Sequence, residues 1–299
     1  MTQHLPSLKH LEFGGAKAVP DPEAMRLIQQ MICKESTADC LSNQDLHLRF
    51  VDVYRAWISG TQLNHIKGLA SYPVMASSHG TSESFDKFYL KNHHRRFRCF
   101  KGEYMYHAAS WKTYFPNWLW IDDADIHEQD AVVISLPFSD TGNPHPDMDS
   151  VLDQCDRLGV PVLLDCAFFG ACANICFDFG RDCVRDITFS LSKTVPVAHA
   201  RIGIRFSKID DDDSLLIHHK TGYVNRLALD LGIKIMQKIG PDHCFQKFKD
   251  RQLKVCQELS LTTSSTIFLG IDRDGKWPQY NRGTLTNRLC IADRLLSHD

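Results

Sequence analysis

Four short apolar segments between residues 131 and 206 constrain the fold of this chain more than any other feature. Residues 131–137 and 160–164 are apolar on both faces, which is typical of strands inside a parallel sheet. Between them, residues 147–159 place apolar side chains at helical spacing and end in a glycine. Residues 187–190 and 202–206 have the pattern of two further short strands. The order strand, helix, strand predicts a right-handed parallel unit and therefore an α/β fold.

Charged side chains follow two of these strands. Asp165 comes directly after the second strand, and Lys193 comes shortly after the third. Ligands of such sheets bind beyond the carboxyl ends of the strands. We therefore expect a single ligand to contact both residues.

The surroundings of Lys193 suggest what that ligand is. Lys193 closes the segment Ser-Leu-Ser-Lys that begins at Ser190, and Arg201 follows eight residues later. A lysine among small hydroxyl residues is suited to form a Schiff base with a carbonyl cofactor. Ser190 and Arg201 then offer a hydroxyl and a fork of N–H donors to a phosphate group. A strand that ends in Ser-Lys at a surface turn is the plainer alternative.

Together with other segments, these residues resemble the motifs of the fold-type I pyridoxal-phosphate enzymes, the aspartate aminotransferase superfamily. The sequence Asp-Cys-Ala-Phe at residues 165–168 resembles the family's Asp-x-Ala-Tyr. Residues 190–193 with Arg201 resemble its Ser-x-x-Lys and phosphate arginine, and residues 79–84 resemble the glycine-hydroxyl turn that opens a helix and holds the phosphate. The segments carrying Tyr104 and Arg288 resemble those of the ring-stacking aromatic residue and the carboxylate-binding arginine.

The resemblance implies pyridoxal 5'-phosphate as cofactor and a three-layer sandwich with a mostly parallel central sheet, joined to a reduced α+β small domain. Residues 71–206 are expected to form the large, cofactor-binding domain, and residues 1–70 and 207–299 the small one. Lys193 and Asp165 are the expected catalytic residues, and Arg288 is expected to bind the substrate. The implied cofactor-binding residues are Gly80, Thr81, Ser82, Tyr104, Ser139, Asn143, Asp165, Phe168, Ser190, Lys193 and Arg201.

Two positions depart from the family pattern. The family's Asn-Pro-x-Gly turn supplies an asparagine to the ring oxygen of the cofactor, but here Ser139 stands at that position. Asn143 lies four residues later, so either residue could serve. Phe168 replaces the usual tyrosine and removes a second donor to the same oxygen. These departures leave the reaction type more open than the cofactor.

Aminotransferase is the reaction that the resemblance favours, with an amino substrate, a keto-acid acceptor and a homodimer whose sites lie at the subunit boundary. A lyase, decarboxylase or cyclase on the same scaffold remains an alternative, and so does a non-catalytic binding protein. The substrate itself is not determined by the sequence.

Composition limits the other functions that the chain could have. A net charge of −2 gives no reason to expect a nucleic-acid partner, and the basic cluster at residues 93–98 is interpreted as the solvated end of a helix. The cysteines, eleven in number, show no disulfide or zinc spacing. We expect reduced thiols, a cytoplasmic protein and no metal site. No apolar run approaches the roughly eighteen residues of a membrane span, and none at the N-terminus resembles a signal peptide.

Outside the predicted sheet, the pattern is mostly helical. Apolar spacing predicts helices near residues 24–31, 46–58 and 227–239. The acidic run at residues 210–213 predicts a helix start, because carboxylates favour the N-terminal end of a helix.

Overall fold

The computed structural model describes residues 11–33, 37–114 and 117–296. Its helices are α1 (Pro22–Cys33), α2 (Thr37–Ser42), α3 (Leu46–Ser59), α4 (Thr81–Lys91), α5 (Met105–Tyr114), α6 (Met148–Leu158), α7 (Ser214–Thr221), α8 (Arg226–Lys238) and α9 (His243–Glu258). Its strands are β1 (His65–Lys67), β2 (Val74–His79), β3 (Arg96–Cys99), β4 (Trp118–Trp120), β5 (Asp130–Ser135), β6 (Val162–Asp165), β7 (Cys176–Asp178), β8 (Val184–Ser190), β9 (Ile202–Ser207), β10 (Thr262–Thr263), β11 (Leu269–Asp272) and β12 (Asn287–Cys290).

Seven strands form the central sheet, in the order β2, β9, β8, β6, β5, β3, β4. All neighbouring pairs from β8 to β4 are parallel, and β9 alone runs antiparallel to both of its neighbours. The predicted unit of strand, helix and parallel strand is confirmed as β5, α6 and β6. The expectation of an α/β sandwich around a mostly parallel sheet is therefore correct.

Both faces of this sheet are covered by helices, which explains why the inner strands β5 and β6 are apolar over most of their length. On one face, Val132 and Leu164 share a core with Phe50 of α3, Leu152 of α6 and Ile233 of α8. On the other face, alternate strand residues pack against α4; these are Phe97, Ala131, Val133 and Leu163, against Phe85, Phe88 and Tyr89. The period of two along each strand thus divides its side chains between two cores.

A second body of structure lies beside the sheet. The short antiparallel sheet β10, β11, β12 packs against α9 and against the chain that precedes α1. Phe168, just after β6, joins this second core with Phe268. The domain boundaries at residues 70/71 and 206/207 remain a prediction. Helices α3 and α8 lie outside the predicted large domain, yet they share the core of the central sheet.

The interpretation of residues 93–98 as the solvated end of a helix was wrong for Arg96 and Arg98, whereas the exposed His93 and His94 do follow the end of a helix. Helix α4 ends at Lys91, and Arg96 and Arg98 lie in strand β3. Arg98 is fully buried and donates to Asp130 (2.6 Å), which also accepts from Arg96 (2.7 Å). Asp130 pairs with both guanidinium groups, and Arg98 also donates to main-chain oxygens of residues 119–125, so two basic residues can occupy an inner strand.

Two further properties concern the whole chain. Within the described residues, no helix is both long and apolar enough to cross a membrane. The cysteines whose side chains are described form no disulfide, and all but Cys176 are buried.

Candidate active site

A cavity of about 270 Å³ opens where the parallel strands end. Strands β5 and β6 end at Ser135 and Asp165, which are directly paired in the sheet. The cavity is closed from other sides by residues 14–16 and by the segment around β12. Nine of the predicted site residues border it: Thr81, Ser82, Tyr104, Ser139, Asp165, Phe168, Lys193, Arg201 and Arg288.

Lys193 reaches the cavity from the turn that follows β8. Its Nζ donates to the main-chain oxygen of Ala16 at 2.6 Å. Burial lowers the pKa of the Lys193 amine, and the positive charges of Arg288 and Arg201 act in the same direction. A lowered pKa increases the fraction of unprotonated amine, which is the nucleophilic form.

Asp165 lies on the floor of the cavity and is only 4% exposed. Its Oδ1 accepts a hydrogen bond from the amide of Ala167 (3.0 Å), and it forms no ion pair within the described residues. Burial raises the pKa of Asp165 to about 8, and the neighbouring carboxyl of Glu103 adds to the effect. A buried carboxyl without a cation is costly, so this position suits a ligand that brings a positive charge.

The start of helix α4 forms one end of the cavity. Gly80 caps the helix with a positive φ of 75°, and a Cβ at this position would lie 2.4 Å from Nη2 of Arg201. The same Nη2 donates to the oxygen of His79 and to Ser82 Oγ, both at 3.0 Å. Free amides at a helix start and a guanidinium group beside them are suited to bind a phosphate.

Ser190 and Asn143 lie apart from the cavity. The Ser190 hydroxyl is buried, 2.8 Å from Ser192 Oγ and 3.2 Å from the main-chain oxygen of Ile202. In this segment it is Ser192, not Ser190, that borders the cavity together with Lys193. The Asn143 side chain accepts from the amide of Ser265 at 2.8 Å and links two loops. Of the two alternatives for the ring oxygen, Ser139 is the one that borders the cavity.

Arg288, in strand β12, enters from the side opposite the sheet. Its Nη1 donates to the oxygen of Ser139 (2.7 Å) and its Nη2 to that of Gly14 (3.3 Å), whereas its buried Nε has no partner. It makes no ion pair within the described part of the chain. Burial, followed by the nearby charge of Arg282, lowers the pKa of Arg288 to about 9. A buried cation without a carboxylate is suited to bind an anionic ligand.

The sequence interpretation missed several residues of this site. Arg282 borders the cavity, donates to the oxygen of Glu103 (2.9 Å) and lies 3.8 Å from Oδ1 of Asp140. Glu103 itself is buried beneath Ser135. The only signals in the sequence were an acidic residue directly before Tyr104 and an arginine six residues before Arg288. Residues 14–16 carried no periodic pattern that could have placed them here.

Comparisons with known proteins identify the fold. No protein-family model and no curated protein sequence matches this chain. Solved structures do match over nearly their whole length. They include the L-threonine-O-3-phosphate decarboxylase of Porphyromonas gingivalis, which is 11% identical over 93% of both chains with a TM-score of 0.64.

Two further solved structures are similar to this chain to the same degree, and their names give other activities. The pyridoxal-phosphate-bound C-S lyase of Staphylococcus hominis is 10% identical, with a TM-score of 0.67 over 97% of this chain and 91% of that one. A probable N-succinyldiaminopimelate aminotransferase of Thermus thermophilus is 12% identical, with a TM-score of 0.65 over 95% and 90%. The chain therefore has the fold of the fold-type I pyridoxal-phosphate enzymes.

Proposed function

We propose that this protein is a pyridoxal-phosphate-dependent aminotransferase that acts on an amino acid or a similar amine. One observation carries the proposal: Lys193 and Asp165 border the same cavity as Arg201 and the buried cation of Arg288. The sequence resemblance and the fold both support pyridoxal 5'-phosphate as the cofactor. Whether the cavity suits this cofactor depends on the chemistry of the residues that border it.

The residues present fit pyridoxal 5'-phosphate. Arg201, Ser82 and the first amides of α4 would hold the phosphate, and Gly80 leaves room for the guanidinium group beside them. Asp165 would pair with the ring nitrogen, whose proton supplies the positive charge that this carboxyl lacks. When bound, the cofactor forms imines with amines and draws electrons from the bonds at the substrate's α-carbon.

Lys193 and Arg288 have complementary tasks toward the substrate. The lowered pKa of Lys193 leaves its amine free to attach to the cofactor and afterwards to take up or return a proton at the α-carbon. Arg288 would bind the substrate carboxylate with parallel hydrogen bonds, for which its unpartnered Nε is available. Together they orient the bond that is to be broken.

Ser139 and Tyr104 would hold the cofactor ring. The Ser139 hydroxyl borders the cavity and would donate to the ring oxygen, a task that Phe168 cannot share because it has no hydroxyl. Tyr104 is 43% exposed and forms one wall of the cavity, where its ring would stack on the cofactor. Ser139 would thus be the single hydroxyl donor to the ring oxygen, where a protein with a tyrosine in place of Phe168 would have two.

We propose further that the protein is a homodimer. Large apolar side chains are exposed on the turn between α7 and α8 and on the first turn of α8, with Tyr223 at 81% and Leu227 at 50% exposure. The same turn borders a small groove next to Arg201, at the edge of the cofactor site. A second copy packed on this turn would cover the apolar surface and close the site.

The half-reaction with an amino donor tests the aminotransferase proposal. With an amino donor alone, an aminotransferase stops after the first half-reaction with pyridoxamine phosphate on the protein, whereas a lyase or decarboxylase releases its product and returns the cofactor unchanged. The loaded protein is mixed with single amino acids, and the released cofactor is identified by chromatography. We expect pyridoxamine phosphate, and recovery of the starting form when a keto acid is added. Product release with only pyridoxal phosphate recovered would establish a lyase or decarboxylase instead.

A further inference from the structure

We infer that Glu103 is a positioning residue which, acting through Asp165, keeps the ring nitrogen of the bound cofactor protonated. This inference rests on the proposed function and deepens it by adding a residue that the family resemblance does not supply. Glu103 lies in the loop between β3 and α5 and is 2% exposed. The residue after it, Tyr104, borders the cavity.

Three donors surround the Glu103 carboxyl group. The amide of Ser135 donates to Oε1 at 2.7 Å, the Ser135 hydroxyl donates to Oε2 at 2.5 Å, and the amide of Tyr104 donates to Oε2 at 3.1 Å. An ionised carboxylate accepts all three bonds, whereas a protonated carboxyl has a hydrogen of its own to place. The three hydrogen bonds therefore favour the charged form of Glu103. Burial acts in the opposite direction and raises the pKa of Glu103 to about 7.

Ser135 connects Glu103 to Asp165. Ser135 and Asp165 are register partners at the ends of the parallel strands β5 and β6, so their side chains point to the same face. Both border the cavity. Glu103, Ser135 and Asp165 thus form one row of polar side chains at the ends of β5 and β6, and the negative charge of Glu103 adds to the raised pKa of Asp165.

The other groups near the row do not cancel this charge. Arg282 donates to the main-chain oxygen of Glu103 and also faces Asp140, so its positive charge is divided between two carboxyl groups. The titratable groups that face Glu103 and Asp165 are Cys99, Cys166, Arg282, Lys193, Tyr104 and Tyr89. Of these, the two thiols and the two phenols have raised pKa values and are neutral near pH 7. A cationic ring nitrogen placed on Asp165 is therefore stabilised by two carboxylates rather than one.

A titration of the ring nitrogen tests this role separately from activity. The protein is loaded with pyridoxal 5'-phosphate that carries ¹⁵N in the ring, and the nitrogen shift is followed against pH. In Glu103→Gln, which keeps size and shape, we expect the deprotonation midpoint to fall by at least about one pH unit, a tenfold loss of proton affinity. Glu258→Gln is the control. Glu258 is exposed at the end of α9 and does not border the cavity, so the midpoint of this variant should equal that of the wild type.

The possible outcomes separate the two proposals. A wild-type protein that takes up no pyridoxal phosphate would overturn the proposed function and this inference with it. Equal midpoints in the loaded wild type and Glu103→Gln would overturn the role of Glu103 alone. If Glu103→Gln does not take up the cofactor, Ser135→Ala decides the matter. Loss of that hydroxyl raises the pKa of Glu103, so a lowered midpoint supports the inference and an unchanged one refutes it.

Discussion

Asp165 occupies a position that stability alone would give to an apolar residue. It ends an inner strand, lies on the floor of a cavity and has no cation within ion-pair distance in the described structure. Its raised pKa means that the folded chain holds this proton to higher pH than the unfolded chain does. Stability is therefore lost as the pH rises from about 4 toward 8.

Replacing this carboxyl should stabilise the empty protein while abolishing its chemistry. At pH 8, we expect cofactor-free Asp165→Asn to exceed the wild type in free energy of unfolding by about 2 to 4 kcal/mol. At pH 5 the difference should be clearly smaller, because only the first part of the stability loss between about pH 4 and pH 8 has then occurred. Urea unfolding at both pH values measures the two differences. An equal difference at pH 5 and pH 8 would show that Asp165 is not a buried titrating group.

Single residues were predictable where the chain itself marked them. Asp165 and Lys193 directly follow apolar strands, so the edge of the sheet brings them together. Glu103 and Arg282 could not be found in this way, because their proximity depends on loops that fold against each other. Ser190 shows the opposite failure, since its hydroxyl bonds within its own turn rather than facing the cavity.

At the level of elements, the apolar patterns located most of the structure. The helix predicted at residues 46–58 is α3, and the acidic run at residues 210–213 leads into α7 with Asp213 as its cap. Strand β3 was missed because its basic residues pair with Asp130, which lies more than thirty residues away in the sequence. A pattern based on apolar residues cannot detect a strand that is stabilised by a distant carboxylate.

The turn between α7 and α8 carries the prediction of a dimer. We expect the loaded wild type to sediment at about twice the chain mass of 34.1 kDa. Leu227→Glu places a charge on the proposed interface, so it should shift the protein toward the monomer and weaken cofactor binding by about tenfold or more. Leu253→Glu, at a similarly exposed position on α9, is the control and should remain dimeric. A fully active wild-type monomer would contradict the proposal.

The molecule as a whole keeps its fold with very little sequence identity to its structural neighbours. The three solved structures match 93–97% of this chain at 10–12% sequence identity. The arrangement of strands, helices and core faces is therefore shared, while most side chains differ. The fold was predictable because it depends on these patterns. The reaction was not, because one scaffold hosts several chemistries and the distinction lies in a few side chains around the cavity.

The central claim is that this cavity holds pyridoxal phosphate on Lys193, and reductive labelling tests it most directly. The purified protein is incubated with pyridoxal 5'-phosphate, reduced with borohydride, digested and analysed by mass spectrometry, with Lys193→Arg treated in parallel. We predict a coloured protein that loses its colour on reduction, with the pyridoxyl group on the peptide containing Lys193 and none at that position in the variant. A colourless protein, or label spread over surface lysines equally in both proteins, would contradict the account.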